Sequence, residues 1–212
     1  MKGHIDELRI ASGAMVILSL ATALMVVLPY MLAGQAHPVG TELKPYTAQQ
    51  LAGRQQYIAN GCVYCHSQQP RDPSQAPDGL RGWGRPSVAS DYFYDSPHLL
   101  GTMRTGPDLL NIGARQPSQD WQLGHLYQPR AYTPGSTMPA YPYLFELRHP
   151  TAVTARDVVI NLPKAYHPKN GGVVVASPEA LDLVAYLLAL DRTYPILPPE
   201  ETASVPATGA RP

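Results

Sequence analysis

The sequence predicts a mainly α-helical chain: one N-terminal transmembrane helix, then a small helical domain with long loop insertions. Three observations lead there. Ile10 to Ala33 is apolar or small without one charge, and helix start signals stand at Thr47 and at Ser177. Between those two starts lies a long stretch of weak periodicity in a chain of 212 residues that holds 23 prolines and 17 glycines. Lys+Arg and Asp+Glu both number 16, so no global basic field exists and nucleic acid is not an expected partner.

The first element is the anchor, 10–33, after a short N-terminus at 1–9. As a helix it reaches about 36 Å, enough to cross a bilayer with some tilt. A cleaved signal peptide has a shorter apolar region, about 7–15 residues, so an uncleaved anchor in membrane lipid is expected even though Gly34-Gln35-Ala36 resembles a cleavage site. Pro29 and Tyr30 near the far end suit a membrane helix and its interface. Gly13, Ala14, Ala21 and Ala23 are small residues that would let partner helices approach.

A polar linker, 34–46, leads to the domain, 47–194. Thr47-Ala-Gln-Gln50 has the form of a capping box, so a helix starts there. It should end at Asn60-Gly61, a C-cap pair. Cys62-Val-Tyr-Cys65-His66 follows at once and contains both cysteines of the chain. C-x-x-C-H is the attachment signature of c-type haem: two thiols bond the porphyrin and the histidine is placed to ligate the iron. A zinc site would need further paired Cys or His ligands, and no disulfide is possible once both thiols are used. One covalently bound haem c is therefore expected on Cys62, Cys65 and His66, supplying an apolar centre to a loop-rich domain.

A sixth ligand is expected from methionine. Of six methionines, Met1 is the first residue and Met15, Met25 and Met31 lie in the span, which leaves Met103 and Met138. Met138 stands in Gly-Ser-Thr-Met-Pro, a stiff extended loop able to hold a thioether against the iron. His98, His125, His149 and His167 keep a second histidine ligand open. Arg104 is a candidate partner for a haem propionate, because Arg binds carboxylates bidentately.

The last helix starts at Ser177-Pro178-Glu179, with a Ser cap, Pro in the first turn and an early acid. It carries a wide apolar face from Leu181 to Leu190 and ends at Asp191-Arg192. Arg156–Ile160 and Val173–Val175 could form short strands. The tail, 195–212, has four prolines within residues 195–206 and no periodicity, so an extended or disordered end is expected.

A helix before the pentad and another near the C-terminus resemble the class I cytochrome c arrangement. In that arrangement the two cross where a glycine admits an aromatic ring; Gly53 and Tyr186 are the candidates. The resemblance also gives Thr105-Gly-Pro107-Asp-Leu109 a place on the histidine side of the haem. It implies that the Pro107 carbonyl accepts from the imidazole and that Leu109 packs on the porphyrin, interactions that would orient the ligand and tune the metal.

Larger motifs make the chain similar to the mono-haem subunit of cbb3-type cytochrome c oxidases, the FixO/CcoO family. They are Pro-Tyr46-Thr-Ala, Ala-Gly53-Arg-x-x-Tyr57-Ile, Gly61-Cys-x-x-Cys-His-Ser-Gln68, Tyr94-Asp-x-Pro97, Arg104-Thr-Gly-Pro-Asp-Leu109, Trp121, His125-Leu-x-x-Pro-Arg130 and Pro134-x-Ser-x-Met138-Pro-Ala-Tyr-Pro142. The segment Leu80–Ser87 and everything after Leu144 diverge from the family's pattern. The resemblance implies a single-pass subunit of the bacterial inner membrane with its haem domain in the periplasm. It would take electrons from a di-haem cytochrome c subunit or a soluble cytochrome c. It would pass them to haem b of the catalytic haem-copper subunit, where dioxygen is reduced, and perform no bond chemistry itself. Alternatives are the small cytochrome subunit of a nitric oxide reductase, a free-standing membrane-tethered cytochrome c, and a haem peroxidase, whose iron a Met138 ligand would block. The loops 67–103 and 139–176, rich in Pro and Tyr, are expected to dock on the catalytic subunit.

Overall fold

A computed structural model describes residues 2–32 and 42–196. Most of the expected linker and tail therefore lies outside the described residues. The chain divides into two units, Met1–His37 and Pro38–Pro212, taken separately below.

The first unit is helical: α1 (Lys2–Thr22), a π-helical turn (Ala23–Val27) and α2 (Leu28–Leu32). Pro29 explains the π turn. Proline has no N–H for the carbonyl four residues back, and its ring crowds that carbonyl, so the ladder loosens just upstream. Leu28 accordingly donates to the carbonyl of Ala23, five residues back. The apolar stretch runs Asp6–Met31 with a mean hydropathy of 2.3 and no part of it buried, and it is long enough to cross a membrane. The hydroxyl of Ser12 is satisfied internally by the Leu8 carbonyl at 2.7 Å.

In the second unit α3 (Ala48–Ala59) begins with the expected capping box: Gln50 N–H donates to the Thr47 hydroxyl, and Thr47 N–H donates to the Gln50 side chain. It ends at Asn60, and Gly61 takes the left-handed φ of +70° that turns the chain into the pentad. After a long coil come α4 (Ile112–Arg115), α5 (Gln119–Tyr127), α6 (Pro129–Tyr132) and, at the end, α7 (Pro178–Ala189). Ser118 caps α5 by accepting from Trp121 N–H, and Ser177 caps α7 by accepting from Ala180 N–H.

Helices α3 and α7 cross at Gly53. A Cβ there would lie 1.8 Å from the Asp182 carbonyl oxygen and 2.9 Å from Tyr186 Cβ, so only glycine permits this approach. Tyr186 is fully buried and packs edge-on against Tyr57 and tilted against Tyr46, both at 5.6 Å. Burial pushes the Tyr46 hydroxyl up to about 12, and Arg192 donates to it at 3.1 Å. Gly113 brings α4 onto α7 in the same way, with its N–H on the Leu190 carbonyl at 2.9 Å.

The expected strand at 173–175 is present, while the one at 156–160 is reduced to a bridge. β1 (Phe145–Arg148) pairs antiparallel with β2 (Val173–Ala176), Phe145 opposite Ala176 and Arg148 opposite Val173. Of the expected strand 156–160, only Val159 makes a bridge, to Val175. Inward residues of this hairpin, Phe145, Val174 and Ala176, join Leu123, Leu126, Leu144, Ile160 and the apolar face of α7 in one core.

The long loops pack on their own domain and keep an exposed outer side that includes Leu80, Met103 and Tyr143. In 67–103 three carboxylates tie the coil down. Asp78 takes Arg104, Asp91 takes Arg85 and the hydroxyl of Tyr194, and Asp95 faces Arg54 with Nε at 3.4 Å. Arg54 also donates to the carbonyls of Ser96 and Pro97, and Arg192 to that of Asp91. Burial of such charges is tolerated because each is paired. The segment 139–176 contributes Leu144, Phe145, Ile160, Leu162 and Val174 to the core, while Tyr143, Leu147 and Tyr166 stay exposed.

Candidate haem site

The pentad begins with a 3₁₀ turn (Cys62–Tyr64), and the N–H groups of Cys65 and His66 both bond the Cys62 carbonyl, at 3.1 and 2.9 Å. Neither cysteine is in a disulfide. Cys62 is buried in the core, where burial pushes its thiol up to about 11; Cys65 is exposed.

A strap of chain is spliced onto the pentad. Gln68 N–H donates to the Leu100 carbonyl (2.7 Å), Gly106 N–H to Cys65 (3.0 Å) and Leu109 N–H to Ser67 (2.8 Å). The strap carries Gly106 past the His66 ring so closely that a Cβ would sit 2.2 Å from Cε1. It also brings the Pro107 carbonyl 2.7 Å from His66 Nδ1. That bond makes Nδ1 the protonated nitrogen and leaves Nε2 with a free lone pair. Burial holds the imidazole below its ordinary range, against the opposing pull of the Pro107 carbonyl, so the ring is neutral, as a metal ligand must be. Leu109 is buried in the core beside Cys62.

Asp108 anchors the strap, accepting from the Ser67 hydroxyl at 2.6 Å and from the N–H groups of Gln69 and Leu110 at 2.7 and 2.9 Å. Desolvation raises this carboxyl despite those donors. Asp108 went unnoticed in the sequence, where it stands only as the variable residue of Gly-Pro-x-Leu.

Arg104 is paired within the protein. Its Nη1 lies 2.5 Å from Asp78 Oδ1, and its Nη2 donates to the Gln69 carbonyl at 2.6 Å. Both terminal nitrogens are thus held by protein groups, and only Nε is buried without a partner. In this structure Arg104 braces the strap against the 69–78 loop.

The two candidate methionines separate. Met103 is 57% exposed, whereas Met138 is half-buried against the core. The Met138 loop is fixed at its near end by the Ser136 hydroxyl, which accepts from Met138 N–H, and at its far end by Tyr141 N–H on the Leu126 carbonyl at 3.0 Å. Among the histidines, His98 is exposed against the edge of Tyr92, and His149 and His167 bond Thr151 and the Leu162 carbonyl. Among the described histidines, only His125 has a buried ring nitrogen with no partner, Nδ1.

These residues fit a haem. They offer two thiols one turn apart, an imidazole whose second nitrogen is free, and a half-buried thioether packed on the core that holds Cys62. A glycine-notched helix crossing, a pentad turn and a strap under the histidine together define a cytochrome c domain behind an apolar N-terminal helix. Residues 5–190 match the family described as cytochrome c oxidase, mono-heme subunit/FixO, and the chain belongs to that family. It is a subunit of a cytochrome c oxidase that carries one haem and works alongside other oxidase subunits. No curated protein matches the chain.

Proposed function

We propose that this subunit is an electron relay of a cbb3-type oxidase. A single haem c is bound through thioethers to Cys62 and Cys65, with His66 and Met138 as axial ligands. The observation that carries this reading is the His66 Nδ1 contact with the Pro107 carbonyl within a pentad of the mono-haem subunit family. Haem bound there supplies reversible one-electron chemistry, and His/Met ligation gives a higher potential than two histidines.

The chain's own groups do the positioning. Pro107 fixes the ligand tautomer and ring direction, and Gly106 leaves the ring its room. Leu109 and Cys62 keep that side apolar, and the Met138 loop is held at both ends. The pentad also has a surface side: Tyr64 is 75% exposed and neighbours the exposed Cys65, so electrons can enter or leave at this edge. Electrons come from a di-haem cytochrome c subunit or a soluble cytochrome c and go to haem b of the catalytic haem-copper subunit; no bonds are made or broken on this chain. The apolar helix holds it in a bacterial inner membrane with the haem domain in the periplasm.

Two experiments test this. Affinity purification of the full chain from its native membrane should bring down a copper-containing oxidase; recovery of a copper-free reductase, or of no oxidase, would refute the assignment. Met138→His should lower the potential and remove the weak sulfur-to-iron band at the red end of the oxidised spectrum. Loss of that band in Met103→Leu but not in Met138→Leu would reassign the ligand.

A further inference from the structure

Asp108 is fully buried, and it is tied to both neighbours of the histidine ligand's hydrogen bond. It follows Pro107, whose carbonyl bonds His66, and its carboxylate accepts from the hydroxyl of Ser67, the residue after His66. Each carboxylate oxygen also takes a backbone N–H, Oδ1 from Leu110 at 2.9 Å and Oδ2 from Gln69 at 2.7 Å. A backbone N–H can only donate, and such donors favour the ionised form against the burial that raises this carboxyl. Two arginines are near, yet neither hydrogen-bonds the carboxylate. Arg104 gives Nη1 to Asp78 and Nη2 to the Gln69 carbonyl, and its Nη2 stays 3.8 Å from Asp108 Oδ2. Arg115 donates to the backbone carbonyl of Asp108 instead. The carboxylate thus keeps much of its charge where water cannot screen it. Its charge reaches the ligand. Burial holds the His66 imidazole down; the Pro107 carbonyl and the Asp108 charge oppose that by favouring positive charge at the ring, and Arg115 acts with burial.

We propose that Asp108 is a positioning residue that acts through His66: its fixed negative charge beside the ligand favours the oxidised haem and lowers the reduction potential of the relay. The inference rests on the proposed haem c at the pentad. Loss of one electron leaves the haem and its imidazole one unit more positive, and a buried anion beside them stabilises that state. The electron comes from the cytochrome c donor and leaves to the catalytic subunit, while the Asp108 carboxylate stays ionised throughout and no proton moves. Holding the strap and setting the potential are then two tasks of one side chain, and they are separable because only the second needs the charge.

The full haem-bearing chain is compared with three variants. Asp108→Asn removes the charge and keeps the shape. Asp108→Ser removes the charge and keeps an acceptor for the short turn to the Leu110 N–H, so it decides the matter should the Asn variant fail to fold. Ser67→Ala slackens the same anchor but leaves the charge, with one donor fewer. Reduction potential and low-spin spectrum are read in each. The neutral variants are expected to keep the low-spin spectrum and to raise the reduced-to-oxidised ratio at fixed ambient potential by about tenfold, which for one electron is about 59 mV. Ser67→Ala is expected to leave that ratio alone or to move it slightly the other way. A rise in Ser67→Ala to match the neutral variants overturns the inference, since a slack strap would then be the cause. An unchanged or lower potential in the neutral variants overturns it as well. So does loss of the low-spin haem from both of them, which would make the carboxyl an anchor and nothing more. A wild-type chain without a low-spin haem c refutes the underlying reading of the pentad, an outcome seen before any variant is compared.

Discussion

Substitution of His66 by alanine is expected to abolish the low-spin haem spectrum of the purified chain. His66 is the histidine whose ring is held on one edge by a carbonyl, at 2.7 Å, and on one face by a glycine. Among the other described histidines, none is held between a carbonyl and a glycine in this way. His98, His149 and His167 are exposed, and the His125 ring is clamped on Trp121. Optical spectra of oxidised and reduced protein provide the check. A normal low-spin spectrum in His66→Ala would mean that the pentad is not the haem site. A secondary loss of thermal stability should accompany the change, because Cys62 and Leu109 on either side of the histidine belong to the domain's core.

Gly53→Ala should have the largest effect on stability away from the haem. In an isolated helix the change would be favourable by about 1 kcal/mol. Here the new methyl would meet the Asp182 carbonyl at 1.8 Å, and backbone cannot swing aside as a side chain can. Helices α3 and α7 must separate, which loosens the packing of Tyr57, Leu183 and Tyr186 at once. Overpacking of this kind costs about 3 kcal/mol or more. For a domain of this size that lowers the melting temperature by roughly 6–12 °C. Gly79→Ala is the control, since its Cβ would meet nothing nearer than 3.9 Å. Equal melting temperatures for the two variants would show that the helix crossing tolerates a side chain.

Local signals made much of this legible in the sequence. Thr47 and Ser177 announce their helices because a cap is written in the four residues that make it. The pentad and Gly-Pro-x-Leu are short, and their contacts follow from resemblance to a known arrangement. What stayed hidden depends on partners far apart in the chain. Asp91 pairs with Arg85 close by, but also accepts from Tyr194 across 103 residues. Arg104 has the chemistry for a propionate, and only the fold reveals that Asp78 reaches it from 26 residues away. Phe145–Arg148 alternates too briefly to read as a strand until Val173–Ala176 is laid beside it. The prolines and tyrosines of the loop 67–103 are legible locally, but the buried carboxylates Asp78, Asp91 and Asp95 that tie it to the domain are not, because their partners lie elsewhere in the chain.

The strap spliced onto the pentad bears on speed as well as shape. An electron carrier's rate is slowed by whatever must rearrange when its charge changes by one unit. Here the imidazole is fixed to a carbonyl, and that carbonyl lies on a segment hydrogen-bonded to the ligand's own neighbours at Cys65 and Ser67. The segment is held in turn by the buried carboxyl of Asp108. Ring, strap and pentad form a closed loop of hydrogen bonds, a frame that would limit rearrangement in the proposed relay.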